Sequence, residues 1–137
     1  MMKILRNILA VIIGAIVGSI INGAIISVSG KIIPPPADVD VTTMEGLRAT
    51  MHLFEPKHFL MPFLAHALGT FVGALLAMLI AASHKFYFAL TVSFLFLIGG
   101  FINVVLLPSP LWFTLCDLIL AYIPMGLLAN LILRNKS

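Results

Sequence analysis

Asp117 lies in LCDLILAYIP, residues 115–124, and no other formal charge occurs between Lys85 and Arg134. An ionised carboxylate set this deep among apolar residues costs about 2.5–3.5 kcal/mol on membrane-insertion scales, so such residues usually bind something or clamp helices. Three other polar side chains belong with it: Asn22 in GSIIN, His66 in LAHALG and Asn103 in GGFIN. A histidine and two carboxamides can offset the cost in two ways. Asp117 can pair with protonated His66, or stay neutral and donate to a carboxamide. The sequence leaves both open.

The chain that positions these side chains has 137 residues, 61% hydrophobic and 9% charged, with mean hydropathy +1.17. A soluble domain carries about 25% charged residues, well above this composition. Residues 7–30, 58–83 and 86–116 hold no formal charge. Crossing the hydrocarbon core takes roughly 20 apolar residues as a helix. Four spans are therefore expected, at about 4–29, 58–82, 86–107 and 111–133. The predicted fold class is all-α: an integral-membrane four-helix bundle of two hairpins, forming a single membrane domain over residues 1–137. The opening MMKILRNILAVIIGAIVG has too long an apolar run for the roughly 7–15 residues of a signal-peptide core, and reads as the first span. The single cysteine, Cys116, excludes an intrachain disulfide.

A net charge of +3 could suggest nucleic acid, but the positions of the basic residues argue against it. Lys3 and Arg6 precede span one, His84 and Lys85 separate spans two and three, and Arg134 and Lys136 follow span four. By the positive-inside rule both termini are expected in the cytoplasm and the 31–57 loop on the outer side of a plasma or inner membrane. That loop leaves span one through Pro34, Pro35 and Pro36. Thr42 and Glu45 then have capping-box spacing, and Met44, Leu47, Met51 and Phe54 recur at helical intervals. A short amphipathic helix over about 43–54 is expected, lying on the outer surface or capping the bundle.

Small residues should set the packing, because lipid gives helices no hydrophobic reason to associate. Span one carries Gly14 and Gly18 four apart, with Asn22 one step further. Span two carries Gly69 and Gly73, with His66 on the same face; in span three Gly99 precedes Asn103 by four. The two hairpins also echo each other, GSIIN against GGFIN and GALLA against MGLLA, as a parallel duplication would leave them. At 1.5 Å per residue, Asn22 and Asn103 fall roughly 6–12 Å below the outer ends of their helices, and His66 and Asp117 roughly 9–12 Å below theirs. One polar layer in the outer half thus receives a residue from each span.

Three functions fit that layer. Binding or transport of a small solute or ion leads, because ionisable residues inside membranes are functional by default. The second is an accessory subunit in which the layer is interhelical glue. The third is an outer-leaflet lipid, quinone or metal binding protein or enzyme. Enzymatic chemistry is the lesser expectation, since the chain has no phosphate-binding glycine loop, HExxH, CxxC or serine elbow. His52, Glu55 and His58 are metal-ligand types, but Pro56 interrupts the helix that would align them. No cofactor is assigned. The expected partners are the lipid bilayer and a second copy or a membrane partner subunit, with no nucleic acid.

The charge pattern generates a topology prediction. In a Cys116→Ala background, Asp40→Cys should react with a membrane-impermeant thiol reagent on intact cells and Ser137→Cys should not. The reverse pattern overturns the orientation.

Overall fold

The computed structural model describes residues 1–136, which form helices and turns with no strands among them. Helix α1 runs from Met2 to Ile32 and ends where Ile33 turns extended (φ −126°, ψ 94°) ahead of Pro34. A residue before proline disfavours helical backbone, which fixes that end. At 1.5 Å per residue α1 is about 46 Å long, more than the ~30 Å of a hydrocarbon core. Its last turns therefore stand clear at the end of the bundle that carries the long loop.

In that loop, α2 spans Met44–Thr50 and continues into a 3-10 turn at Met51–Leu53. The expected capping box does not form. Thr42 gives both its amide and its hydroxyl to Asp40, and the cap passes to Thr43, whose hydroxyl accepts from Gly46 N at 3.0 Å. The Thr42 hydroxyl first, then the Thr42 amide and the Thr43 hydroxyl, hold the Asp40 carboxyl below its usual value of 3.8. A depressed carboxylate stabilises the fold above its unfolded value, so the Asp40 contribution is whole at neutral pH and disappears as pH falls through the lower, folded value. Arg48 Nε donates to the Leu106 carbonyl at 2.7 Å and fastens this helix to the rest of the chain.

Helix α3 spans Leu60–Ile80, preceded by a 3-10 turn at Pro56–Phe59, and α4 spans Lys85–Leu106. The fourth span is two helices, α5 (Leu111–Leu120) and α6 (Ile123–Arg134). Pro124 has no N–H to return to the Leu120 carbonyl, and Tyr122 leaves the helical region (φ −120°, ψ −83°). A proline inside a span commonly only kinks it; here the helix breaks outright.

Four stretches are long and apolar enough to cross a membrane: Met2–Ile32, Pro56–Ile80, Lys85–Leu106 and Leu111–Arg134. Ile4, Ile8, Ile12, Ile16 and Ile20 form an exposed row down α1. A continuous apolar stripe of that length suits lipid rather than water.

Helix α3 is central, packing on α1, α4 and α6, and its contact with α1 is the most extensive in the molecule. Along that seam the glycines interlock. A Cβ added at Gly14 would lie 2.5 Å from the Gly73 carbonyl oxygen, and one at Gly18 would lie 2.6 Å from that of Gly69. No side chain fits there. At the end of the bundle that carries the termini, Asn7 closes the seam, accepting from Ala82 N at 2.8 Å and donating to Ser83 Oγ at 3.1 Å; Arg6 Nε donates to the Ile80 carbonyl. Ala74, Met78, Ala89 and Ala129 fill the space between α3, α4 and α6.

Gly99 does not belong to this packing. It is exposed, with nothing within 4 Å of an added Cβ, whereas Gly100, one residue on, is buried against the Tyr122 ring. The echo between the hairpins therefore stops short of their contacts: Gly18 meets Gly69, and its counterpart Gly99 meets nothing.

These contacts predict opposite effects for the glycines of α3 and for Gly99 of α4. Gly73→Ala and Gly69→Ala should each lower stability by about 1–3 kcal/mol, the usual cost of forcing atoms into a filled space. Gly99→Ala should be neutral or stabilising by up to about 1 kcal/mol through helix propensity. Denaturant unfolding of the purified variants in detergent compares them; equal stability of Gly73→Ala and the parent would remove the seam.

Candidate functional site

The helix break determines the site. Below it, α6 packs closely on α3 and α4; above it, α5 packs loosely on them. A cavity of about 500 Å³ opens at the loop end between α1, α3, α4 and α5. Asn22, His66, Asn103 and Asp117 all line it. The four spans thus deliver one polar residue each to a common space, although they do not all touch.

Asp117 is 3% exposed and is held at the cavity floor. His66 Nδ1 lies 2.8 and 3.0 Å from its two oxygens, and Tyr122 donates its hydroxyl to Oδ2 at 3.0 Å. A carboxylate is acceptor-only, so His66 carries its proton on Nδ1 toward Asp117 and, when neutral, keeps Nε2 as an acceptor. The His66 and Tyr122 rings stack with centroids 5.9 Å apart. Neither carboxamide reaches Asp117; of the two pairings left open by the sequence, the geometry takes the histidine.

Tyr122 is the member that the sequence does not single out. In an unbroken helix, residues five apart point roughly 140° away from each other, so 117 and 122 do not read as a pair. The break at 121–122 turns the tyrosine back. It also needs Gly100, because a Cβ there would fall on the ring and hydroxyl of Tyr122. Pro124, two residues on, was the available signal.

The carboxamides differ. Asn22 sits over Gly69 at the top of the α1–α3 seam, and its Oδ1 is shut off from solvent with no hydrogen-bond partner. Asn103 is exposed on the cavity wall. The amphipathic helix supplies the lid, with Met44, Leu47, Met51 and Phe54 facing the cavity at the spacing expected from sequence. Phe59 joins that lid to α5, lying 5.5 Å from Trp112 and 4.8 Å from Phe113 by ring centroid. No protein-family model, curated protein or solved structure matches this chain.

The metal-type residues His52, Glu55 and His58 do not converge. His58 Nδ1 accepts from the Glu55 amide at 2.8 Å and the Glu55 carboxylate pairs with Lys57 at 3.3 Å, so both are spent on capping the 3-10 turn before α3. Among the described residues no group of three His, Cys, Asp or Glu is arranged to hold a metal ion. Thr70 and Ser93, buried deeper in the bundle, return their hydroxyls to the His66 and Ala89 carbonyls of their own helices.

Removing one donor tests the arrangement. Tyr122→Phe leaves a buried carboxylate one hydrogen bond short and should cost about 1.5–3 kcal/mol, the range for bonds to charged groups. Tyr87→Phe, at an exposed tyrosine, should change nothing. Equal unfolding midpoints for the two variants in detergent would show that the Tyr122 bond carries no weight.

Proposed function

We propose that the chain is an integral membrane protein, termini inward, that binds a small solute from the outer side in the cavity floored by His66 and Asp117. The observation that carries this reading is the cavity of about 500 Å³ that Asn22, His66, Asn103 and Asp117 all line. A polar layer serving only as glue would close its members on one another; here neither carboxamide bonds to another member, and Asn103 stands exposed on the wall of a cavity of about 500 Å³. That size is within the roughly 300–1,000 Å³ of small-molecule pockets. The lipid bilayer is the partner of the exposed isoleucine row.

A transport role has one specific observation in its favour. Transporters commonly bind substrate where a spanning helix is interrupted, and the break between α5 and α6 adjoins Asp117. Passage inward would require the α3–α4–α6 core below the site to part, since alanines and Met78 fill it.

Cysteine accessibility tests the cavity directly. In a Cys116→Ala background, Asn103→Cys and Thr114→Cys should react with a charged, water-borne methanethiosulfonate added from outside. Ser93→Cys, buried below the site, should not. If Asn103→Cys and Thr114→Cys are as inert as Ser93→Cys, the space is not open to aqueous solutes and the binding reading fails.

A further inference from the structure

We propose that the ligand of this cavity is a small organic cation, a protonated amine on an apolar body, seated with its charged end against the His66–Asp117 pair and Asn22 on the adjoining wall. The assignment rests on the solute-binding reading above and goes on to its chemistry. It begins with the charges that line the space. Asp117 is the only formal charge on the walls, and no Lys or Arg lines them among the described residues. Arg48, on the lid helix, is turned away to the Leu106 carbonyl, and Lys57 is paired with Glu55 at the rim.

Two histidines line the cavity as well. His58 accepts a backbone N–H on Nδ1, which requires its neutral form while that bond stands. His66 is either neutral, giving the cavity a net charge of −1, or protonated, giving 0. No state reached with these bonds intact is positive. An anionic head therefore never finds net attraction, and a cation finds it whenever His66 is neutral. Inside a low-dielectric bundle that difference is large compared with the same charges in water.

The hydrogen-bond inventory agrees. Asn22 Oδ1 is an acceptor without a donor, and neutral His66 offers Nε2 as a second acceptor. Asp117 and a neutral His66 Nε2 are both acceptors, and an ammonium supplies three N–H groups to such a pair. Above the floor the lining turns apolar, with Met44, Met51, Met61, Phe54 and Phe113. Thioethers and aromatic faces accommodate a body of variable shape and are attracted to a neighbouring positive charge.

The test uses three probes sharing one aromatic body: phenethylammonium, 2-phenylethanol and 3-phenylpropanoate. Binding is measured by calorimetry on the full chain in lipid nanodiscs, with empty nanodiscs subtracted for partitioning. The expected order is ammonium over alcohol by ~10-fold or more, as a charge-assisted hydrogen bond gives, with no saturable binding of the carboxylate. Asp117→Asn should bring the ammonium-to-alcohol ratio toward one. Asn22→Leu, which leaves the His66–Asp117 pair intact, should weaken both probes and keep their ratio. Equal or tighter binding of the alcohol or the carboxylate overturns the cation assignment and leaves the pocket standing. Saturable binding of none of the three overturns both, and an Asn22→Leu variant with unchanged affinities removes Asn22 from the site.

Discussion

Asp117 accepts from His66 and from Tyr122, and meeting that demand shapes the loop end of the molecule. A carboxylate on an apolar helix has to be reached by donors, and neither of these lies on its own helical face. His66 comes from α3, on which α5 otherwise packs loosely. Tyr122 comes from beyond the helix end, which requires the break before Pro124 and the bare backbone of Gly100. Once the span is broken there, its two parts need not follow one axis. The lower part fits between α3 and α4, while the upper part stands off and leaves a cavity. Satisfying one buried charge and opening a cavity are the same structural event.

The contrast with the α1–α3 seam sharpens this. That contact is made of backbone against backbone, with glycine carbonyls where side chains would otherwise stand. Association of this kind depends on close van der Waals approach of the two backbones. Its polar residue, Asn22, sits where the glycines end and the helices no longer exclude other atoms. Packing is therefore tightest directly beneath the place where an acceptor is left without a donor.

Much of this was legible in the sequence, for reasons that differ by residue. The spans follow from uncharged runs and length alone. Asn22, His66, Asn103 and Asp117 could be assigned to one level because helical rise converts sequence position into depth. Met44, Leu47, Met51 and Phe54 announced a lid by spacing. What escaped notice depended on local backbone. Tyr122 joins Asp117 only through a departure from helical geometry, and Gly99 and Gly100 are equivalent in composition but lie on different faces. The loop-helix cap moved from Thr42 to Thr43 because Asp40 claims Thr42, a competition between neighbouring side chains that capping-box spacing does not encode. The metal-like residue types before α3 have a structural use instead, since helix-end capping calls on the same residue types as coordination.

The clasp between Asn7 and the far end of α3 has a mechanical meaning. Helices α1 and α3 are joined along their length by interlocked backbone and again at the terminal end by Asn7 and Arg6. They behave as a fixed frame. Helix α5 is braced less: it meets the frame at the Asp117–His66 pair, and is attached below through a non-helical joint and above through Phe59 and its neighbours. Stiffness is thus unevenly divided across the bundle, and a change in the volume of the cavity falls to α5 and the lid, with the α1–α3 frame as the reference against which they move.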